Sequence, residues 1–344
     1  MRGILVNTRI LGAPVAGTQR YTRELIERFQ AAETIAPGNG GRGPSGHAWE
    51  QLILPAKTGD RLLFSPANTG PLWVENQVVT IHDMAIWDCP AGFSRRFVKW
   101  YRFLLPRLAR RVRHIIAVSE FTKERIVAAT GVSDHKITVI PNGVASCFSP
   151  QAVSGLEAAR TSLGLPSSRY VLTVGSLEPR KNLKRLLEAW AGIEKRIPED
   201  VWLVVAGGRG SERVFAATEL EPLPRRVFLA GQVEEGILPA LYAGALAFVY
   251  VSLYEGFGLP ILEAMASGVP VVAGNRSSLP EVVCDAGILV DPSREEEIAE
   301  GIHSLVQDAV LRDKLRQRGL LRVRGFSWDE TAQRTWQVLQ AAAS

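Results

Sequence analysis

The sequence predicts two successive α/β domains, each a doubly wound, mostly parallel sheet with helices on both faces. Three observations lead there. Short β-rich runs alternate with helical stretches along nearly the whole chain, and that alternation builds parallel sheets with crossover helices. The pattern halts once, over residues 141–168, where Pro141-Asn142-Gly143 and Pro150 interrupt a segment with few long apolar runs. Finally, 344 residues are long for one core, and two domains of ordinary size follow from length alone. The expected boundaries are 1–150 and 151–325, with a C-terminal helix over 326–344 packing back toward the first domain.

In the first domain, strands are expected at 4–6, 51–54, 62–64, 78–81, 115–118 and 137–140, each rich in branched apolar residues. Helices fall near 18–32, 94–112 and 121–130, and the Gly/Pro-rich stretch APGNGGRGPSG at 36–46 reads as a mobile loop. In the second domain, strands are expected at 170–174, 202–206, 227–230, 247–251, 269–273 and 288–290, with helices near 183–193, 260–266 and 294–305. A long, strongly apolar uncharged run lies between Glu235 and Glu255, but Pro239, two glycines, Ser252 and three tyrosines break it up. It reads as a short helix near 238–243 and then a buried strand, not a membrane span.

The opening MRGILVNTRI suits a first buried strand and lacks the apolar length of a signal peptide. Three unpatterned cysteines argue against a disulfide framework or a zinc site and suit a reducing, cytoplasmic setting. Charge is unevenly spread. Residues 1–150 hold 19 Lys+Arg against 11 Asp+Glu, a balance of +8, whereas the remainder holds 21 against 24, a balance of −3. The first half therefore has the sign to meet an anionic partner, although charge alone does not choose one.

The strongest chemical signal is Glu255-Gly-Phe-Gly-Leu-Pro-Ile-Leu-Glu263. It follows a buried strand, and Pro260 suits an early helical position. The amides of Gly256, Phe257, Gly258 and Leu259 would lie at a helix N-terminus, where unpaired N–H groups and the dipole favour an anion. Glu255 would stand on the loop and Glu263 about one turn into the helix, so both carboxylates can flank one ligand. The plainer alternative is a Gly-rich turn before an amphipathic helix with a solvated Glu. Strand, glycines and Pro260 together favour function. The second signal is Val174-Gly175-Ser176-Leu177-Glu178-Pro179-Arg180-Lys181-Asn182-Leu183. A strand ends in a turn with two adjacent cations, then a helix opens, which brings charge and amides to a diphosphate without a metal. Two cations at a helix start are otherwise slightly disfavoured by the dipole.

Other features have local explanations. Thr80-Ile81-His82-Asp83 ends a strand, where a His–Asp pair is commonly just hydrogen-bonded. Gly12-Ala-Pro-Val-Ala-Gly17 is a turn without the dinucleotide glycine pattern. Ser278 to Glu281 has capping-box spacing, Ser119 suits an N-cap, and Pro141-Asn142-Gly143 reads as a turn. Gly207-Gly208-Arg209-Gly210 is explained equally by a flexible loop or by nucleotide contact.

Together these residues resemble the retaining GT-B glycosyltransferases of the large family that includes sucrose synthases, bacterial mannosyltransferases and lipopolysaccharide glucosyltransferases (family 4, group 1). The resemblance covers nearly the whole chain, running through Val118-Ser119-Glu120-Phe121-Thr122, Ile140-Pro141-Asn142-Gly143-Val144, Pro280-Glu281 with Gly287, and Phe326-Ser327-Trp328. It implies two Rossmann-like domains facing across a cleft, with the acceptor in the first and the nucleotide-sugar donor in the second. It also implies that Glu255 holds hydroxyls of the donor hexose, helped by the amides of Gly256–Leu259, that Glu263 grips the ribose, and that Lys181 meets the diphosphate. His82 would approach the transferred carbon, and the loop ending at Gly17 would lie across from the diphosphate. The backbone near 231–233 would serve as a platform for the base. Many members carry an arginine directly after the position of Gly175. Here that residue is Ser176, and Arg180 is the candidate substitute.

The Leu-Glu-Pro-Arg-Lys-Asn form of the turn resembles bacterial mannosyltransferases, which implies GDP-mannose as donor and a lipid-linked oligosaccharide of a surface polysaccharide as acceptor. No metal or other cofactor is expected, because no acidic Asp-x-Asp cluster is present. The basic stretch Arg95, Arg96, Lys99, Arg102, Arg107, Arg110, Arg111 and Arg113, interleaved with Phe97, Trp100, Tyr101, Phe103 and Leu104, reads either as an ordinary surface helix or as a patch that docks on an anionic inner membrane. Nucleic acid is not an expected partner, since no recognised module accompanies the charge. Two alternatives stay open: a nucleotide-sugar epimerase of the same architecture, and a non-catalytic basic membrane- or nucleic-acid-binding protein.

Overall fold

The computed structural model describes residues 3–12, 17–38, 41, 43–208 and 223–344. The chain divides into two compact units. Unit 1 is Met1–Pro90, Arg95–Gly143 and Phe326–Ser344; unit 2 is Ala91–Ser94 and Val144–Gly325.

Unit 1 contains strands β1 (Ile4–Asn7), β2 (Ala32–Ile35), β3 (Leu62–Ser65), β4 (Gln77–Ile81), β5 (His114–Ala117) and β6 (Ile137–Val139). They pair in the order β2-β1-β3-β4-β5-β6, all parallel. The helices of this unit are α1 (Gly17–Arg28), α2 (Gly43–Leu52), α3 (Leu54–Thr58), α4 (Ala85–Asp88), α5 (Arg95–Arg111) and α6 (Glu120–Thr130). Ser119 caps α6 as its sequence position suggests, its hydroxyl accepting from the Thr122 amide at 3.0 Å.

Unit 2 contains α7 (Leu156–Leu163), β7 (Arg169–Val174), α8 (Leu183–Ile193), β8 (Val201–Ala206), β9 (Val227–Gly231), α9 (Leu238–Ala243), β10 (Ala247–Tyr250), α10 (Leu259–Ala266), β11 (Val271–Gly274), α11 (Leu279–Val283), β12 (Gly287–Val290), α12 (Glu295–Gln307) and α13 (Ala309–Arg322). Its strands run β12-β11-β10-β7-β8-β9, again all parallel. On one face, α8 and α12 pack side by side. Leu183, Leu186, Leu187 and Trp190 meet Ile298, Ile302 and Leu305 over Val171, Leu203, Val249 and Val272. The uncharged run between Glu235 and Glu255 becomes α9 and β10. No helix among the described residues is long and apolar enough to cross a membrane.

The last helix, α14 (Trp328–Ala343), belongs to unit 1 and lies against α1 and the strands β3, β4 and β5. Phe29 meets Trp336 at 5.0 Å between ring centroids, and Arg28 pairs with Asp329 at 2.7 Å. Gly143 explains itself here rather than as a turn. A Cβ on it would lie 2.2 Å from the Trp328 amide nitrogen, so only glycine lets the strand exit and the start of α14 touch.

Several expectations fail. Residues 51–54 are not a strand but the junction of α2 and α3. The apolar run there is largely solvent-facing, with Leu52 75% and Ile53 46% exposed, while the residues α2 buries are Gly46 and Glu50. The loop expected at 36–46 ends where α2 begins at Gly43; residues 39, 40 and 42 lie outside the described residues. The helix expected over 18–32 ends at Arg28, and strand β2, AETI, follows unannounced: it sits at the sheet edge, half-buried to exposed, and lacks the apolar run that marks an interior strand. Helix α7, in the expected linker, buries only Ala159, and α13 only Leu315 and Gly319, too little for a readable stripe.

Trp190 is fully buried in unit 2, with its indole N–H donating to the Arg225 carbonyl at 3.2 Å. Trp190→Ala should cost about 3–5 kcal/mol, read as a shifted urea midpoint at unchanged slope, and Trp190→Phe distinctly less.

Candidate active site

Strand order decides where unit 2 can hold a ligand. From β7 the sheet grows through β8 and β9 on one side and through β10, β11 and β12 on the other, so β7 and β10 flank the topological switch point. The connections leaving their carboxyl ends part there and open a crevice. The turn after β7 carries Arg180 and Lys181, and the loop after β10 carries Glu255.

Backbone contacts lock these two segments together. The Leu253 amide donates to the Arg180 carbonyl at 2.8 Å. Asn182, in the left-handed conformation (φ 59°), opens α8 and donates its amide to the carbonyls of Val251 at 3.1 Å and Pro292 at 2.6 Å. A short polar side chain tolerates that conformation where most residues would not. Nearby, Gly207 has φ 147°, and a Cβ there would fall 1.8 Å from the Gly175 carbonyl oxygen. The ends of β7 and β8 approach that closely only with glycine.

Glu255 is the centre of the arrangement. Lys181 Nζ donates to its Oε1 at 2.6 Å and to the Tyr250 hydroxyl at 2.7 Å, and that hydroxyl donates to the same Oε1 at 2.8 Å. Arg180 Nη1 reaches Oε2 at 3.1 Å and the Tyr254 carbonyl at 3.2 Å. Arg180 Nε is held by Glu178 Oε2 at 2.8 Å, and the Ser176 hydroxyl donates to the other Glu178 oxygen. Burial by itself would push the Glu255 carboxyl up, but Lys181 and Arg180 outweigh it and hold it down to about 2. Burial, reinforced by Arg180, pulls Lys181 below the ordinary lysine value against the counter-pull of Glu255. Burial and the Glu255 charge raise Tyr250 well above a free phenol, so it stays a donor.

The loop after Glu255 enters α10 through Gly258 at φ 111°, with Pro260 in the first turn. Gly256, Phe257 and Gly258 are buried, Leu259 is half-buried, and Glu263 is 4% exposed on α10. Ser278 does not cap α11 as its spacing suggests. Its hydroxyl lies 3.0 Å from the Glu255 carbonyl and 2.9 Å from the Phe257 carbonyl, and the Ser277 hydroxyl accepts from the Glu255 amide at 3.0 Å. Two serines from the next βα connection thus pin the glycine loop. Sequence reasoning missed them, along with Tyr250 and Glu178. Their only signal was position at or just after a strand end.

This turn and loop match known families. Residues 157–322 fit the family model described as "Glycosyl transferases group 1", and residues 62–146 fit "Glycosyltransferase Family 4". The chain is 34% identical over 267 residues to the O-antigen chain mannosyltransferase B of Escherichia coli, covering 77% of this chain and 70% of that one. It is 30% identical to the O-antigen chain mannosyltransferase RfbU of Salmonella typhimurium, covering 77% and 71%. The chain belongs to the group 1, family 4 glycosyltransferases. Its fold is that of GT-B enzymes. Sucrose-phosphate synthase from Thermosynechococcus elongatus superposes with a TM-score of 0.77 at 20% identity over 100% of both chains. Anabaena HepE, crystallised with UDP and glucose, gives 0.76 at 19% over 99% of this chain and 100% of that one.

The remaining expected residues of this glycosyltransferase lie as follows. His82 directly follows β4 in unit 1 and is 9% exposed. Its backbone N–H donates to Asn68 Oδ1 at 2.6 Å, and Nε2 lies 2.7 Å from the Pro66 carbonyl, which can only accept. The proton therefore sits on Nε2 and leaves Nδ1 as an acceptor. Burial lowers the His82 pKa despite the opposing pull of that carbonyl and of Asp83, so the ring is neutral. Asp83 caps its own turn, accepting from the Ala85 amide at 3.0 Å. Gly17 is the first residue of α1, while 13–16 lie outside the described residues, as do Arg209 and Gly210. Gly231 ends β9 at φ 65°. Among the described residues, no three His, Cys, Asp or Glu side chains are grouped to hold a metal.

A carboxyl whose pKa falls from 4.5 to about 2 on folding contributes stability above pH 4.5 and loses it as pH falls toward 2. Glu255→Gln lacks that term. Its unfolding free energy should fall less steeply than that of the wild type between pH 4.5 and 2, measured by urea titration at each pH.

Proposed function

We propose that this glycosyltransferase is a retaining, metal-independent mannosyltransferase that moves mannose from GDP-mannose to a lipid-linked oligosaccharide of a surface polysaccharide, working at the cytoplasmic face of the inner membrane. The observation that carries the reading is the buried Glu255 carboxylate clamped between Lys181 and Arg180 at the switch point. Breaking a glycosidic bond to a nucleoside diphosphate leaves new negative charge on the phosphate oxygens, and preorganised cations and helix amides stabilise it without reorganisation. Lys181, Arg180 and the amides of Gly256–Leu259 supply those groups. In this reading the diphosphate takes over the two cations, and Glu255 turns to the hydroxyls of the hexose. Glu263 meets the ribose, and His82 takes the role the family resemblance gives it. A double-displacement route needs a nucleophilic carboxylate. Glu255, with its pKa near 2 and both oxygens engaged, is a poor one. Same-face attack assisted by the leaving phosphate is then the route to retention. The sugar rests on the two O-antigen mannosyltransferases to which the chain is similar.

The donor is tested by thermal shift, since a ligand of the native state raises the melting temperature. GDP-mannose should shift the protein more than UDP-glucose, and equal shifts would remove the donor assignment. Glu263→Gln should weaken GDP by ~1–3 kcal/mol, the range of a lost charged hydrogen bond. Glu255→Gln should bind GDP at least as well as the wild type, because the competitor for Lys181 and Arg180 is gone, yet transfer poorly. Transfer should also survive excess EDTA; abolition with rescue by magnesium or manganese would refute metal independence.

Membrane docking is supported by α5. Arg95, Arg96 and Lys99 are exposed, Phe103 is 45% exposed with Arg107 stacked on it at 4.0 Å, and Arg111 lies 5.2 Å from the ring of Trp73, itself 72% exposed. Tyr101 and Leu104 face the core. Near anionic lipid each exposed cation contributes about 1 kcal/mol. Changing Arg95, Arg96 and Lys99 to Glu should abolish flotation with phosphatidylserine vesicles while leaving GDP affinity unchanged. Equal flotation of both proteins with anionic and neutral vesicles would leave α5 a structural helix.

A further inference from the structure

Tyr250 is the last residue of β10 and is 3% exposed, with its ring stacked beside that of Phe248 at 5.9 Å between centroids. β10 is an interior strand, paired with β7 on one side and β11 on the other, so the base of the phenol is fixed. Its hydroxyl closes a triangle with Lys181 Nζ at 2.7 Å and Glu255 Oε1 at 2.8 Å. An ammonium can only donate, so the hydroxyl accepts from Lys181 and gives its one proton to Glu255.

Within this cluster the phenol adds little charge compensation. Lys181 already meets one oxygen of Glu255 and Arg180 the other, and a phenylalanine would fill the same space. The hydroxyl matters once the cations are engaged elsewhere. In the reading proposed above, the diphosphate takes over Lys181 and Arg180. Glu255, its side chain 10% exposed, would then lack a counter-charge, and desolvation would drive it to take up a proton. A neutral phenol has no charge to follow the incoming anion.

We propose that Tyr250 is a positioning residue for the donor sugar: its hydroxyl keeps Glu255 charged and Oε1 in place while the diphosphate holds the two cations, leaving Oε2 to the hexose. The inference rests on the donor-site reading and deepens it. A carboxylate only accepts hydrogen bonds, whereas a carboxylic acid also donates one, so protonation would invert a contact to the sugar. Among the described residues, the charged and titratable groups facing Glu255 come from two segments. The turn after β7 supplies Lys181 and Arg180, with Glu178 behind Arg180, and β10 supplies Tyr250. The buried Ser252 hydroxyl also helps hold Glu255 ionised but makes no hydrogen bond of its own, and Ser277 and Ser278 touch only the Glu255 backbone.

The test needs no acceptor. GDP is titrated into the whole chain by calorimetry at about pH 6, in buffers that differ in ionisation enthalpy, which gives the protons taken up per nucleotide bound. UDP is run beside it. Tyr250→Phe keeps the ring and removes only the oxygen. It should take up more protons than the wild type, up to about one extra per GDP, and its affinity should gain more as pH falls. Protonation of the nucleotide itself is common to both proteins and cancels. In a Glu255→Gln background Tyr250→Phe should produce no extra uptake. The affinity advantage of GDP-mannose over GDP should shrink roughly tenfold in Tyr250→Phe, the weight of one good hydrogen bond. A hydroxyl that merely packs predicts a lower melting temperature with equal proton uptake and an unchanged sugar advantage, and that result overturns the proposal. Extra uptake that survives Glu255→Gln overturns it as well. A wild type that binds neither GDP nor UDP removes the donor site at Lys181 and Arg180, and this role with it.

Discussion

A carboxylate taken out of water must be neutralised where it stands, and much of unit 2 is arranged around that requirement at Glu255. Two cations from the β7 turn reach it, and a tyrosine from β10 donates to the oxygen that Lys181 also holds. The cations are themselves costly to bury, so each depends on the carboxylate in return. Removing one partner from such a set leaves an uncompensated charge, which is worse than never burying the pair. The backbone features nearby serve this constraint: Asn182 in a left-handed conformation, glycine contact between the ends of β7 and β8, and paired serines gripping the glycine loop. In the proposed reading, a diphosphate enters this set by exchanging anion for anion.

The two sheets reach this kind of site by different strand orders. In unit 2 the switch lies between β7 and β10, which are separated in sequence by two strands, so cations and carboxylate come from distant segments. In unit 1 it lies between β1 and β3, and the buried carboxylate arrives on α2 from the connection between β2 and β3. Each crevice contains a buried Glu paired with Arg. The difference is in the partners. Around Glu255 both carboxylate oxygens and two cations are engaged, which suits a charged ligand that displaces the carboxylate. Around Glu50, Oε1 takes three bonds and Oε2 faces His47 Nδ1 at 3.7 Å.

Interior strands and amphipathic helices were legible because burial writes a period into the sequence: β3 through β5, β7, β8 and β10 are apolar on both faces, and α8 shows its leucines at helical spacing. The cation turn and the Glu-x7-Glu segment were legible because glycine, proline and paired charges at a strand end are hard to explain otherwise. Two edge or surface elements left no such mark, as β2 and α13 show. The more instructive error is at 51–54. The run Leu52-Ile53-Leu54 looked like a strand because hydrophobic residues are expected inside, yet α2 turns Leu52 outward and buries Glu50. A helix that inverts the usual preference departs from local consistency. Ser277, Ser278 and Tyr250 around Glu255, and Asn7 and Thr69 around Glu50, have no pattern of their own; only the topology gathers them.

Ser176 shows how the charge at such a site can be kept while its position moves. The family resemblance places an arginine after Gly175, where this chain has a hydroxyl. That hydroxyl donates to Glu178, and Glu178 holds Arg180 Nε so that Nη1 faces Glu255. A short residue at 176 leaves room for the Glu178–Arg180 pair, which delivers the second charge from the far side of the turn. Arg180 is 16% exposed in its side chain and Glu178 4%, so the pair is itself shielded, and Coulomb attraction in that setting is screened far less than at the surface. In the proposed reading, the Ser176–Glu178–Arg180 chain is the means by which this sequence supplies a second positive group for the leaving diphosphate.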